Sequence, residues 1–265
     1  MNTSIQHVRL GDMTAQAFAA VVQQSPVILL PLGSHEDHGP HQPMGDYVLA
    51  DMMAERIARL ATERGVPTFV APSLPFGVAD YFGSSPGGLA LAPESFRRVL
   101  LELLEGLLRH GLRKIVILNA HGGNVPVIHE VTLGIRQGRG LIIPSFYLWK
   151  IARQLMEGQI GTSSGRFGHG AEPLLSLNLA VRPDCVVAEA DTKARAEMLG
   201  LPVAGFGTLD FQGLAVEAPV EFDETASDVI ATAWRERSAA LGEKLGEALV
   251  TAGADFVAHF SAATA

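Results

Sequence analysis

The sequence predicts a three-layer α/β fold with a mostly parallel central sheet, and three observations lead to it. Val27-Ile28-Leu29-Leu30 and Lys114 to Asn119 are apolar runs too short for helices and suited to strands buried on both faces. Stretches with helical apolar spacing lie on either side of each run. Hydrophobic residues make up 48% and charged residues 18% of 265, which supports one well-buried core and not a disordered chain. No stretch is long enough or polar enough to read as a flexible linker, so residues 1–265 are expected to form one domain.

In chain order, Asp12 to Gln24 reads as a helix with Met13, Phe18, Val21 and Val22 inward, and it precedes the first strand. Tyr47 to Arg64 follows as a second helix with Leu49, Met52, Met53, Ile57 and Leu60 on one face, ended near Gly65. Residues 67–72 read as a short strand, and a glycine-rich loop over 83–88 comes next. Pro93 to His110 is a third helix, with proline suited to its first position and Phe96, Val99, Leu100, Leu103, Leu104 and Leu107 inward. After the strand at 114, a fourth helix is expected from Asn124 to Arg136. Leu141-Ile142-Ile143 is expected to be a strand running on to Trp149. Gly158 to Gly168 is a loop, Leu174 to Ala180 a helix, Leu209 to Val220 strands or irregular structure, and Ser227 to Val250 one long closing helix. Residues 186–203 give no clear pattern, and no internal repeat is found.

Charge and cysteine content narrow the function. A formal net charge of -8 without a basic cluster argues against a general polyanion partner such as nucleic acid. Cys185 is the single cysteine, so no intrachain disulfide is available, and the expected compartment is the cytoplasm. No apolar run approaches the ~20 residues of a membrane-spanning helix.

The polar residues cluster where the strands end. His35, Glu36, Asp37, His38, His41 and Asp46 follow the first strand, and that density of charge is costly inside a protein unless something compensates it. A divalent cation would do so; a solvated acidic loop is the other reading. In an extended segment Glu36 and His38 project to one side and Asp37 to the other. Asp46, at the start of a helix, is either an N-cap or a ligand. The strand at 114 runs into Ala120-His121-Gly122-Gly123-Asn124, where paired glycines allow close backbone approach. Ligands of open α/β sheets bind outside the carboxyl ends of strands, so both loops are expected on one functional edge. His169 and Glu172 lie at the start of a helix, and their three-residue step puts them on one face if the helix has begun. An anion site at the glycine pair is the weaker alternative, because the P-loop and dinucleotide patterns are absent. Tyr147 and Trp149 either wall a substrate pocket or pack in the interior. His7, His110, His129 and His259 fall outside every cluster and are expected to be structural.

Taken together, Pro31 to His41 (PLGSHEDHGPH), Gly45-Asp46, Asn119 to Asn124 (NAHGGN) and His169-Gly170-Ala171-Glu172 occur in an order and spacing that resembles the creatininase-like metal-dependent amidohydrolases. The resemblance implies two divalent ions, zinc by preference with manganese or iron as alternatives. By it, Glu36 and His121 would hold one ion, His38 and Glu172 the other, and Asp46 would bridge them. His169 would be the proton shuttle, with His35, Asp37 and His41 orienting the ligands. Tyr81 and Phe82, in the loop that encloses the site in this family, either meet substrate or pack beneath it. A homohexamer is also implied. Two departures stand out: the step from Glu36 to Asp46 is one residue shorter than in many members, and Gly123 occupies the place of a glutamate found in creatinine-hydrolysing members. Glu172 would then supply that carboxylate, and creatinine itself is not the expected substrate. The implied reaction is cleavage of a C–N bond in a small cyclic amide or formamide. Hydrolysis of a cyclic sugar ketone, and metal-dependent ligand binding without turnover, are the alternatives.

Overall fold

The computed structural model describes residues 7–78, 86–161, 166–187, 197–205, 207–220 and 228–263. The central sheet contains β1 (Val27–Leu32), β2 (Thr68–Val70), β3 (Lys114–Asn119) and β4 (Ser145–Tyr147) in the order β2-β1-β3-β4, all parallel. Period-2 alternation divides the core into two layers. Val27 and Leu29 of β1, Val70 of β2, and Val116 and Leu118 of β3 belong to one cluster. Ile28, Leu30 and Leu32, Phe69, and Ile115 and Ile117 belong to the other. Each central strand is therefore apolar on both faces, which is why it reads as a continuous hydrophobic run.

The helices that cover the two faces follow from the same sequence patterns. α1 (Ala15–Val22) starts where the Thr14 hydroxyl accepts a hydrogen bond from the Ala17 amide at 3.1 Å. α2 (Tyr47–Glu63) buries Leu49, Met53 and Ile57 at four-residue steps against the first layer. α3 (Pro93–Arg109) packs Phe96, Leu100 and Leu104 into the second layer, with Val127, Ile128, Val131 and Ile135 of α4 (Asn124–Arg139) beside them. Leu103, expected inward, is 39% exposed, because the buried stripe of α3 narrows to one residue in four. α5 (Leu148–Leu155) and α6 (Leu174–Val181) complete the first layer together with the C-terminal helix.

Two expectations are corrected. Residues 141–144 form no strand: the ladder begins at Ser145, after Pro144, and Leu148 already opens α5, so the extended stretch expected to reach Trp149 is three residues long. The closing helix is two helices, α7 (Asp228–Glu236) and α8 (Ala239–Ala263), and the second runs well past Val250. Its glycines form a packing face. A Cβ on Gly242 would lie 1.8 Å from the Ser176 carbonyl oxygen, and one on Gly253 would lie 2.5 Å from Ile57 Cδ1. The segment after 196 is a separate antiparallel sheet of β5 (Glu197–Met198), β6 (Leu201–Gly205), β7 (Thr208–Phe211) and β8 (Leu214–Glu217), with Val203, Leu209 and Val220 as its own small core. Among the described residues no helix is long and apolar enough to cross a membrane.

Candidate metal centre and its cavity

The carboxyl ends of β1 and β3 lie side by side, with Leu32 paired to Asn119, so the two polar loops that follow meet at one edge of the sheet. Buried amides fasten them there. Asn124 Nδ2 donates to the Gly33 carbonyl at 3.2 Å and to Asn119 Oδ1 at 3.1 Å, and its Oδ1 accepts from the Val78 amide at 2.9 Å. Asn119 Nδ2 donates to the His121 carbonyl at 2.6 Å. Gly77 is needed where the chain crosses this joint, since a Cβ there would stand 2.8 Å from His121 Cδ2.

Five of the expected residues converge. Glu36 Oε1 lies 3.1 Å from His121 Nδ1 and 3.4 Å from His38 Nε2. Asp46 Oδ2 lies 3.9 Å from His121 Nδ1 and 4.0 Å from His38 Nε2. His169 stacks on His38 at 4.7 Å between ring centroids, with its Nδ1 3.9 Å from Glu36 Oε1. Within 4.8 Å of one another, these atoms form two groups that could each hold a cation: Glu36, Asp46 and His121, and Glu36, His38 and His169. Asp46 sits at the N-cap position of α2 but caps nothing with its side chain. Both of its oxygens turn to Ser34, accepting from the backbone amide at 2.6 Å and from the hydroxyl at 3.0 Å.

The remaining candidates are placed differently. Glu172 lines the same cavity but is in neither group. Its Oε1 accepts from the Ser176 hydroxyl at 2.5 Å and from Arg166 at 3.3 Å, and its Oε2 accepts from the Ser176 amide at 3.2 Å. The helix after it begins only at Leu174, so the shared helical face expected for residues 169 and 172 does not exist. Asp37 turns away from Glu36 and accepts from the Gly39 amide at 2.7 Å. His35 leans on Tyr47. Buried His41 donates through Nε2 to the Gly170 carbonyl at 2.8 Å, tying the first loop to the one that carries His169. Tyr147 and Trp149 do line the cavity. Tyr81 and Phe82 fall outside the described residues. His7, His110, His129 and His259 are all exposed and distant from the cluster in sequence and layer.

The donor set fits a cation. His121 donates through Nε2 to the Val78 carbonyl at 2.6 Å, and His38 through Nδ1 to the Pro43 carbonyl at 3.2 Å. Each ring thereby turns its other nitrogen to the same two carboxylates. This is the arrangement in which a carbonyl fixes the tautomer of a ligating imidazole. Charge within the cluster is finely divided. Burial opposes ionisation of Glu36, yet His121 and His38 hold its carboxyl below the usual range. Burial and then Glu36 push Asp46 up to about 7. Burial disfavours protonated His121, but Glu36 and Asp46 override it and raise the ring to about 9. Burial and then His38 lower His169 to about 4. Tyr147 is pushed up to about 12, by burial first and then by Asp46 and Glu36, so it stays a neutral phenol.

The cluster opens into a cavity of about 650 Å³, within the usual range for small-molecule sites. Sequence reading missed several of its features: Lys150 and Arg153 on its wall, Ser34 beneath Asp46, and Arg166 beneath Glu172. An arginine ahead of a glutamate in a glycine- and serine-rich stretch carries no signal of pairing. The step from 149 to 153 on an amphipathic helix was the available sign for the wall.

Carboxylates and imidazoles gathered at the strand ends of a three-layer α/β/α fold define a metal-binding hydrolase site of the amidohydrolase class. Residues 11–257 match the creatininase family, described as creatinine amidohydrolase. The chain belongs to that family. It is 33% identical over 218 residues to the 3-dehydro-scyllo-inosose hydrolase of Thermotoga maritima, covering 76% of this chain and 68% of that one. It is 29% identical over 196 residues to the creatinine amidohydrolase of Pseudomonas putida, covering 68% and 74%. A solved manganese form of creatininase superposes with a TM-score of 0.72 over 95% of this chain and 98% of its own, at 23% identity.

Proposed function

We propose that this protein hydrolyses a C–N bond of a small cyclic amide or formamide at a two-metal centre. The observation that supports this reading is the pair of carbonyl-anchored imidazoles, His121 and His38, turned toward the same two carboxylates. Glu36, Asp46 and His121 would hold one ion, and Glu36, His38 and His169 are the neighbouring donor set. Nitrogen and oxygen donors of this kind suit zinc, with manganese or iron as alternatives. Divalent ions there would polarise the carbonyl of the substrate and lower the pKa of water.

The chain's own residues supply the rest. His169, held by the Asp37 carbonyl through Nε2, presents Nδ1 toward Glu36 and is placed to carry a proton to the leaving nitrogen. Its depressed affinity for protons favours giving one up. Tyr147 and Trp149 wall the ring of the substrate and exclude water. Glu172, compensated by Arg166 and Ser176, is better suited to fixing the loop of His169 than to ligating, although it lines the cavity. A cytoplasmic homohexamer, one catalytic unit per chain, completes the proposal.

The test is metal content by elemental analysis together with turnover of a panel of lactams, formamides and cyclic ketones. About two divalent ions per chain and chelator-sensitive hydrolysis of amides are expected. Hydrolysis confined to cyclic ketones would favour the activity named for the Thermotoga relative. Saturable binding without product on every compound, or full activity after chelation, would overturn the proposal.

A further inference from the structure

Part of the wall of the cavity belongs to α5, and it is basic. Lys150 and Arg153 both line the cavity, three residues apart and so on one helix face. The segment Leu148–Leu155 (LWKIARQL) contains no acidic residue. Arg153 is held in place: its Nε donates to Glu157 at 3.0 Å, and its guanidinium lies 5.2 Å from the centre of the Phe167 ring, which is itself part of the cavity lining. Lys150 is exposed, and among the described residues it takes part in no ion pair. The other carboxylate of the cavity, Glu172, is answered by Arg166, so it does not call for Lys150.

We propose that Lys150 and Arg153 bind a carboxylate of the substrate, so that the compound cleaved is a cyclic amide or formamide that also carries an anionic group. This deepens the hydrolase reading and rests on it for the position of the scissile bond. Apolar Trp149 and Phe167 flank the basic pair. A ring lying on these aromatics would have its amide toward His169 and its carboxylate toward Lys150. A lysine without an acidic neighbour suits this task, because its ammonium is a compact charge on a flexible stem and can follow the anion.

The test uses the zinc-loaded protein and two matched pairs, 5-oxoproline with its carboxamide and N-formylglycine with N-formylglycinamide. Equilibrium binding is measured by calorimetry and turnover by release of product. In at least one pair the ionised compound should bind about 10-fold or more tightly, as expected for a hydrogen bond to a charged group. Lys150→Gln and Arg153→Gln should each reduce that preference while metal content and melting temperature are retained, and Lys150→Arg should restore most of it. Equal affinity within both pairs, or no binding of either ionised compound at millimolar concentration, refutes the proposal. So does a preference that survives both substitutions, since that carboxylate would be held by the metal. Hydrolysis of the neutral members without any preference would leave the hydrolase standing and remove the basic wall. A lysine-dependent preference with no hydrolysis of any compound would do the reverse.

Discussion

Metal affinity should rise steeply with pH, because protons occupy the positions the cations need. His121 must present a bare Nδ1 to ligate, yet Glu36 and Asp46 raise its pKa to about 9 in the metal-free protein. At pH 7 only about 1% of the rings are then ready to bind, a penalty of roughly 100-fold. Affinity should therefore rise by about 10-fold per pH unit from pH 7 to pH 9 and level off above it. Below pH 7 the slope should steepen, because Asp46, raised to about 7, must also lose its proton. The assay is chelator competition for zinc across this range, with calorimetry in buffers of different ionisation enthalpy to count released protons. About one proton per ion should be released near pH 8. The control His129→Ala, at an exposed position, should follow the same curve as the unmodified protein. An affinity flat from pH 7 to pH 9, with no buffer-dependent heat, would remove His121 from the ligand set and refute the reasoning.

Two further outcomes follow from the same cluster. His169→Ala should lower turnover by about 10²–10⁴-fold with metal content retained if His169 carries the proton, whereas loss of metal in step with activity would make it a ligand of the second group. The metal-free protein should be about equally stable from pH 4 to pH 6.5, where the opposed contributions of Asp46 and His169 cancel, and should lose stability above that. His121, raised, contributes stability that is present below its unfolded value and lost as pH rises through about 9. Asp46, also raised, loses its contribution as pH rises through about 7. His169, lowered, loses its contribution as pH falls from 6.5 toward about 4. Urea denaturation at a series of pH values reads this plateau and decline, and stability that climbs steadily to pH 9 without metal would contradict it.

Much of the frame was legible because each central strand is buried on both faces and its sequence is a plain apolar run. Val27–Leu32 and Lys114–Asn119 needed no further information, and the polar blocks that follow them marked the functional edge. The errors came where a residue's neighbour, and not its own type, decides its role. The closing helix was expected to end at Val250, because the sequence does not show that Gly253 beyond it is pressed against Ile57. Leu141 to Ile143 had strand composition, but the ladder with β3 starts only after Pro144. The N-cap reading of Asp46 was reasonable for its position on α2, and only the placement of Ser34 across the turn shows where its oxygens go. Lys150 and Arg153 were visible as residues and invisible as a wall, because the strand was expected to run to Trp149 and no helix was read after it.

The two buried glutamates of the cavity differ in the partners that surround them, which residue type and spacing do not show. Glu36 and Glu172 are both buried beside the same space. Glu172 is met by a guanidinium, a hydroxyl and an amide, and a buried carboxylate so paired has its charge answered within the protein. Glu36 is met by imidazole nitrogens and lies near a second carboxylate, so its charge is answered by protons on those rings, while Asp46 is held besides by the Ser34 amide and hydroxyl. The raised positions of His121 and Asp46 are the trace of that uptake. A divalent cation can occupy such a cluster by displacing its protons, and the carbonyls of Val78 and Pro43 already hold both rings in the orientation that exchange requires.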